Sequence, residues 1–354
     1  VRSFLGAGVD IDRIQAALDS GEFTFDFLDR FFPEPAPRTG PAPAELAARL
    51  GVPAETVASC YLEMGLPEPS PSQPLRADEA EIVQELLALW GGTGRDALLR
   101  AARLVGEPAR LVAEGWTRLY VERIADALAG LDTAERIDAI VSTTERATRL
   151  APRMLQWLLF AHLRHAIDQA NIEGLEAGLA AQGIAEPRPR QQPAMAFVDL
   201  SGYTRMTADH GDDAAVRSSD LLREHALRAV RPSRGRLVKL LGDGAMLYFP
   251  DPAGAVRAVR GLVDALSREG LPAHAGIHTG PVVEHDGDYY GSTVNLASRV
   301  AGIATAGQVV VTAEVLAAPG LSEVPIEPVG AVPVKGVTAP IDLHRINSGA
   351  ADLP

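Results

Sequence analysis

Residues 195–204 read MAFVDLSGYT, an apolar run that ends in an aspartate and a turn containing glycine. The run Met195–Leu200 has the length and composition of a buried strand. Helical and strand-like patterns alternate after it, around a central hairpin whose turn is Gly242-Asp243-Gly244. This order predicts a ferredoxin-like βαββαβ fold of the α+β class, with helices packed on one face of a mostly antiparallel sheet. The other predicted elements are helices at 213–230, 252–269 and 292–303, strands at 273–283 and 308–312, and a further strand or hairpin at 332–346.

The chain before this domain is predicted to be all-helical. From Asp78 to about Leu179, apolar residues recur at three- and four-residue spacing, which is typical of amphipathic helices. Asp78 is the predicted N-cap of the first of these helices, with Glu81 three residues further on. We expect a bundle of several helices, divided by glycine and proline at Gly92, Gly94, Gly106, Pro108 and Gly130.

The predicted domains follow from these patterns and from proline-rich stretches near 33–43 and 67–74. A helical regulatory domain covers 1–182, a linker covers 183–193, and the α+β domain covers 194–347. The linker, GIAEPRPRQQP, is rich in proline and polar residues, as expected between two domains.

Composition narrows the classes of partner and location. The chain has 354 residues, with 33 Lys and Arg against 46 Asp and Glu and a net charge of −13. This balance disfavours nucleic acid and anionic membranes as partners, because phosphate groups need a basic surface. The single cysteine, Cys60, forms no intrachain disulfide, so a cytoplasmic location is expected. We expect no membrane span, since no apolar run approaches about 20 residues. We expect no signal peptide either, since no basic n-region followed by an apolar h-region is seen.

A short segment of the helical region resembles a helix-turn-helix. Residues 45–66 read ELAARLGVPAETVASCYLEMGL, with two helical patterns joined at Gly51-Val52-Pro53. The recognition helix of such a motif carries side chains that read bases and phosphates. Here the second helix, 54–64, carries two glutamates and neither Lys nor Arg. DNA binding and a role as a transcription regulator are therefore disfavoured, and a small docking module is the better interpretation.

Three polar clusters of the α+β domain are candidates for chemistry: FVDLSGYT at 197–204, KLLGDG at 239–244 and GDYYGSTVNLASR at 287–299. Asp199 and Asp243 each stand at the end of a strand, and two adjacent carboxylates repel each other unless a cation joins them. Mg²⁺ suits one or two carboxylates together with phosphate oxygens. The turn after Asp199 offers backbone N–H groups to an anion. Each motif alone is weak, because an Asp-x-x-Gly stretch is most often only a turn.

Taken together and in order, the clusters resemble the class III nucleotidyl cyclase homology domain over about residues 193–346. The resemblance implies that Asp199 and Asp243 bind two ions of Mg²⁺ or Mn²⁺ per site, with the backbone carbonyl of Leu200 as a further ligand. Asn295 and Arg299, four residues apart on one helix face, are the implied catalytic residues. The first positions the ribose and the second stabilises the transition state. The implied substrate-binding residues are Lys239, Asp288, Lys335, Gly202, Tyr203 and Thr204.

The choice of purine is predicted from Lys239 and Asp288. Adenine presents an acceptor at N1 and a donor at N6, which a lysine and an aspartate complement. Guanine presents a donor at N1 and an acceptor at O6, so the same pair would be mismatched. Each mismatched buried group costs about 1–3 kcal/mol. The predicted reaction is therefore conversion of ATP to 3′,5′-cyclic AMP and pyrophosphate. Lys335, the only other lysine in the chain, matches a family Lys-Gly turn that reaches the triphosphate, although a lysine in a turn is ordinarily only a surface residue.

The family places the metal-binding aspartates on one subunit and the other four positions on its partner. All six are present here, which predicts a homodimer with two shared active sites. The alternative is a catalytically silent, nucleotide-binding signalling module of the same fold. The helical half is expected to regulate the enzyme. His162 and His165 share a helix face and form a candidate pH sensor, or else are two ordinary surface histidines.

Overall fold

The computed structural model describes residues 36–127, 133–184, 192–203, 211–321 and 324–346. Contacts within the chain divide it into two compact units, residues 1–186 and 187–354. Within the described ranges, no helix is both long enough and apolar enough to cross a membrane. Gly130 and Thr204, which the sequence analysis singled out, lie outside the described residues.

The first unit is helical, as predicted. Its helices are α1 (Pro43–Leu50), α2 (Ala54–Glu63), α3 (Ala77–Trp90), α4 (Arg95–Ala127) and α5 (Thr133–Ala181). Gly51 joins α1 to α2 in the left-handed conformation, with a φ of 67°. A short 3-10 turn at Gly91–Thr93 and Gly94, with a φ of 104°, separate α3 from α4. The predicted helix break at Gly92 and Gly94 is therefore confirmed.

The predicted break at Gly106 and Pro108 is wrong, because α4 continues through both residues. A Cβ atom added at Gly106 would lie 2.2 Å from the Cα atom of Met64. Glycine at this position therefore allows the chain after α2 to approach the backbone of α4. Pro108 removes one helical hydrogen bond, to the carbonyl of Leu104. Leu104 is 51% exposed, so water has access to this part of the helix.

Asp78 is not the N-cap of α3, in contrast to the prediction. The helix begins one residue earlier, at Ala77, and its N-cap is Arg76. The side chain of Glu79 accepts a hydrogen bond from the Arg76 amide at 3.1 Å. Asp78 accepts from the neighbouring Glu79 amide at 2.8 Å. The carboxylate that faces back to the start of the helix is therefore that of Glu79, three residues after the cap.

The predicted helical bundle extends over only part of the first unit. One apolar core joins α1, α2, α3 and the first turns of α4, and its buried apolar side chains lie between Leu46 and Ala102. Further along, the large apolar side chains that are described are mostly exposed, as for Trp157 (67%) and Phe160 (59%) on α5. Among the described residues, the packed core of this unit is thus formed between Leu46 and Ala102, and most large apolar side chains of the later helices stay exposed.

The second unit is an α+β domain. Its first part contains β1 (Ala194–Leu200), α6 (Asp212–Val230), β2 (Arg236–Leu240), β3 (Gly244–Phe249), α7 (Pro252–Arg268) and β4 (Ala273–Thr279). Its second part contains β5 (Val283–His285), β6 (Asp288–Tyr290), α8 (Ser292–Ala301), β7 (Val309–Thr312), α9 (Ala313–Leu316), β8 (Ile326–Val332) and β9 (Ile341–Ile346). The strand predicted at 273–283 is therefore two strands, β4 and the start of β5.

Seven strands form one sheet in the order β2-β3-β1-β4-β7-β9-β8, and β5 pairs with β6 in a separate small sheet. The order β2-β3-β1-β4 is that of a ferredoxin-like βαββαβ unit, which confirms the predicted fold class. Among the described strands every pairing is antiparallel except that of β4 with β7.

The main sheet has two unlike faces. Side chains alternate along β1, so Ala196 and Val198 point to one face and Met195 and Phe197 to the other. The first face packs against α6 and α7 and is called the α7 face. The second packs against α8 and is called the α8 face. Helices thus cover both faces of the sheet, whereas the sequence predicted helices on one face only.

Candidate active site

The two predicted metal-binding aspartates lie at the same end of the sheet. Asp199 belongs to the α8 face, because its neighbours Val198 and Leu200 are buried in the core of the α7 face. Asp243 is in the turn between β2 and β3. The Leu200 amide donates a hydrogen bond to the Asp243 carbonyl at 3.0 Å, which fixes the turn beside the end of β1. The structure therefore brings these two residues together.

The carboxylate of Asp199 has a perturbed environment. Burial is the main cause that raises its pKa, the negative charge of Asp243 raises it further, and His274 opposes both. The ionised form is therefore disfavoured while no cation is present. Mg²⁺ or Mn²⁺ would relieve this repulsion, and two carboxylates suit ions that take their other ligands from substrate phosphates and water. No cluster of three or more metal-binding side chains is found among the described residues.

Gly244 provides the space that the Asp199 carboxylate occupies. The two residues are cross-strand partners in β1 and β3. A Cβ atom added at Gly244 would lie 2.1 Å from Asp199 Oδ1, far inside van der Waals contact. Glycine at this position therefore leaves room for the Asp199 carboxylate beside β3.

His274 on β4 is a neighbour of Asp199 that the sequence analysis missed. The two residues pair across β1 and β4, and His274 Nε2 lies 4.0 Å from Asp199 Oδ2. The other ring nitrogen, Nδ1, is 3.0 Å from the Ser201 hydroxyl oxygen. Alternation along β4 would have indicated its face, since Ala273 and Ala275 on either side are buried in the α7 face. Its partner across the sheet could not be read from the sequence.

The predicted base-selecting pair is assembled in the structure. Lys239 Nζ on β2 donates a hydrogen bond to Asp288 Oδ2 on β6. The amide of Tyr289 donates to the other oxygen, Oδ1, at 2.9 Å. Burial raises the pKa of Asp288, but the hydrogen bonds from Lys239 and Tyr289 outweigh it and hold that pKa below its ordinary value. Asp288 is therefore ionised at neutral pH.

The predicted catalytic residues lie on the exposed side of α8. Asn295 and Arg299 are both exposed, and in the part of the chain that is described their side chains form no hydrogen bond or ion pair. Lys335 is also exposed, in the connection between β8 and β9. A Cβ atom added at the next residue, Gly336, would lie 2.9 Å from Arg299 Nη1. The Lys-Gly turn thus lies against the Arg299 guanidinium, a contact that the sequence did not predict.

The turn after β1 is only partly described. Gly202 adopts a left-handed conformation with a φ of 77°. The ring of Tyr203 packs against the core of the α7 face, so its side chain points away from the α8 face. If this turn binds an anion, the Tyr203 contribution comes from its backbone.

The second unit matches a known family of catalytic domains over part of its length. Residues 254–348 match the family described as "Adenylate and Guanylate cyclase catalytic domain". The matched stretch includes Asp288, Asn295 and Arg299, but it begins after Asp199 and Asp243.

Relatives match a larger part of the chain. A pH-sensitive adenylate cyclase of Mycobacterium tuberculosis (strain CDC 1551 / Oshkosh) is 29% identical over 322 residues, which are 86% of this chain and 78% of the relative. An uncharacterised protein of M. tuberculosis (strain ATCC 25618 / H37Rv) is 30% identical over 320 residues, 85% of this chain and 78% of that protein. An adenylate cyclase of Streptomyces coelicolor is 28% identical over 276 residues, which are 76% of this chain and 69% of that protein.

Among solved structures, the adenylyl cyclase CyaB from P. aeruginosa is 22% identical, with a TM-score of 0.40, over 47% of this chain and 98% of that one. The fold and the family match define a nucleotide-cyclising catalytic domain that follows a helical region. The chain belongs to the class III nucleotidyl cyclase family.

Proposed function

We propose that the protein is an adenylate cyclase that converts ATP to 3′,5′-cyclic AMP and pyrophosphate. The observation that carries this proposal is the Lys239–Asp288 hydrogen bond on the α8 face, the face that also holds Asp199. An ammonium donor beside a carboxylate acceptor complements the edge of adenine and mismatches that of guanine. The adenylate cyclases among the relatives support the same substrate.

Each proposed residue has one task in the reaction. The ribose 3′-oxygen attacks the α-phosphorus in line, a P–O bond forms, and the bond to the departing pyrophosphate breaks. The 3′-hydroxyl proton passes to water or to a phosphate oxygen of the substrate. Asn295 holds the ribose so that the attack is in line, which lowers its entropic cost. Arg299 supplies positive charge to the phosphoryl transition state. Lys335 binds the triphosphate together with the backbone of Gly202 and Tyr203, and Thr204 is proposed as a further substrate-binding residue.

Asp199 and Asp243, with the Leu200 carbonyl, are proposed to hold two ions of Mg²⁺ or Mn²⁺. Bound there, such ions would neutralise the triphosphate and favour loss of the 3′-hydroxyl proton. The raised pKa of Asp199 and the space beside Gly244 support this assignment.

We propose that each active site is shared by two copies of the chain. The exposed positions of Asn295, Arg299 and Lys335 support this, because these side chains are available to another copy. A C2 dimer would then form two equivalent sites. Mixing inactive Asp199→Ala and Arg299→Ala chains should restore activity through one intact site per heterodimer. If the mixture stays inactive while both variants still dimerise, the shared site is wrong.

The test of the chemistry is direct. The full chain is incubated with ATP or GTP in the presence of Mg²⁺ or Mn²⁺, and cyclic nucleotide and pyrophosphate are measured. We expect cyclic AMP and pyrophosphate in equal amounts and much less product from GTP. Binding of ATP without turnover would instead favour the silent module, and preference for GTP would contradict the base assignment.

We further propose that the helical region, 1–182, regulates the catalytic domain, 194–347, through the linker at 183–193, and that activity responds to pH. The pH-sensitive relative supports the second point. We also propose a cytoplasmic location, because the single cysteine, Cys60, cannot form an intrachain disulfide.

A further inference from the structure

Strand β2 contains an irregularity beside the base-selecting lysine. Its pairing with β3 shifts register between Leu237 and Lys239, so that Arg236 pairs with Tyr248 and Lys239 with Met246. In a regular strand, residues three apart point to opposite faces. The extra residue in β2 instead places Arg236 and Lys239 on the same face, because Met246 and Tyr248 both belong to the α8 face.

Both cations reach the small β5–β6 sheet. Lys239 donates to Asp288 on β6. Arg236 presents its two terminal nitrogens to the two carboxylate oxygens of Glu284 on β5, each at 3.5 Å. The irregular strand of the main sheet therefore contacts both strands of the hairpin that carries Asp288.

Aromatic rings provide a further contact between the same elements. Tyr248 on β3 stacks on Tyr289 on β6, with ring centroids 4.6 Å apart and an interplanar angle of 10°. The Arg236 guanidinium lies beside this stack, 5.1 Å from the centroid of Tyr248 and 5.5 Å from that of Tyr289. Tyr289 is 5% exposed and is the cross-strand partner of Glu284. Arg236 thus contacts a ring and a carboxylate of the hairpin at once.

We propose that Arg236 is a positioning residue that holds the β5–β6 hairpin so that Asp288 meets the base, and that it thereby determines the preference for ATP over GTP. The inference rests on the proposed adenylate cyclase activity. The hairpin pairs only three residues on each strand, and an isolated two-stranded hairpin is marginal in water. If it moves, the acceptor for the adenine amino group is displaced while Lys239 stays on the main sheet.

Arginine suits this task better than lysine. An exposed ion pair alone stabilises little, and both Arg236 and Glu284 are about half exposed. A planar guanidinium can donate to a carboxylate while it also lies within cation–π distance of two aromatic rings. The combination therefore restrains the hairpin more than the Glu284 contact would by itself.

The test measures kcat and KM of the full-length enzyme for ATP and for GTP. Arg236→Met should raise the KM for ATP and lower the ATP-to-GTP ratio of kcat/KM by roughly three- to ten-fold, with kcat nearly unchanged. Tyr289→Leu should have the same effect, whereas Tyr289→Phe, which keeps the stacked ring, should behave as wild type. Arg257→Met, at an exposed position of α7, is the matched control and should change neither parameter.

The outcomes separate this inference from the proposed function. A wild-type enzyme that produces no cyclic AMP overturns both. A wild-type enzyme that produces cyclic AMP, with an unchanged ATP-to-GTP ratio in Arg236→Met, overturns the role of Arg236 and leaves the cyclase assignment intact. A loss in Tyr289→Phe as large as that in Tyr289→Leu also overturns it, because the ring stack would then be irrelevant.

Discussion

The two faces of the seven-stranded sheet differ in what they bury. The α7 face is covered by α6 and α7 and is packed with fully buried aliphatic side chains such as Leu222, Leu247 and Ile277. The α8 face carries a smaller apolar patch and, beside it, the charged residues Asp199 and Lys239. One residue along a strand therefore separates a position that stabilises the fold from one that carries chemistry. Substitutions on the α8 face should therefore reduce activity without reducing stability, whereas substitutions on the α7 face should reduce stability and leave activity nearly unchanged.

The largest predicted effect is on activity and lies on the α8 face. Asp199→Asn keeps the shape of the side chain but removes the charge that would bind a dication. Steady-state assays with Mg²⁺ and ATP should show a fall of about 10³ in kcat, equivalent to about 4 kcal/mol. Asp220→Asn, at an exposed position of α6, is the control and should retain activity.

Asp199→Asn should also be more stable than the wild type when metal is absent. Because the pKa of Asp199 is raised in the folded chain, the native state binds protons more readily there than the unfolded state. At neutral pH the ionised carboxylate therefore opposes folding, and this penalty fades as the pH falls through the raised pKa. Thermal unfolding with chelator should give a higher Tm for Asp199→Asn at pH 7, and this difference should shrink as the pH falls towards about 4. A lower Tm at pH 7 would contradict the assignment.

On the α7 face, a substitution should reduce stability and leave activity nearly unchanged. Leu247 is fully buried in β3, and Leu247→Ala should reduce the free energy of unfolding by about 2–5 kcal/mol. Well below the transition temperature, kcat and KM should stay within about two-fold of wild type, since the side chain points away from the site. Denaturant unfolding and kinetics on the same preparation check both statements. Leu227→Ala, at a 42% exposed position of α6, should change neither stability nor activity appreciably.

A glycine on the α8 face, Gly244, should give a smaller effect on activity. In Gly244→Ala, the new Cβ would require Asp199 Oδ1, 2.1 Å away, to move. A displaced carboxylate should lower kcat by roughly 10- to 100-fold, since catalysis is sensitive to shifts of about 1 Å. Gly261→Ala on α7 has no atom within 4 Å of its Cβ position and should be active and slightly more stable. Full activity in Gly244→Ala would show that the carboxylate has another productive position.

Much of the α+β domain could be predicted because its signals are local. The apolar run at β1 and the Gly-Asp-Gly turn before β3 specify a strand and a hairpin within a few residues. The pairing of Lys239 with Asp288 was also anticipated, but only from the resemblance to a family. Side-chain positions that depend on tertiary contacts were not predicted. His274 reaches Asp199 through strand pairing, and no local pattern encodes which strands are neighbours.

In the helical unit, too, a tertiary contact overrides a local sequence rule. Gly106 was predicted to end a helix, since glycine is a poor helix former. The local rule fails there because the chain at Met64 approaches α4 too closely for any side chain. The irregularity in β2 is comparable: Arg236 and Lys239 share a face only because one intervening residue is not paired regularly with β3. Both features depend on a neighbour that is distant in the sequence.

The smallest predicted effect lies outside both faces, on α5. His162 and His165 are exposed, so a charge on either side chain is screened by solvent and transmits little energy. A His162→Gln/His165→Gln double variant removes both imidazoles and should flatten the activity profile of the full chain between about pH 5.5 and 7.5 by only a few-fold. Arg164→Gln alters charge without a group that titrates in this range, and should shift the level of activity but not its slope. An unchanged slope in the double variant would place the pH response elsewhere, and groups on the α8 face would then be the next to examine.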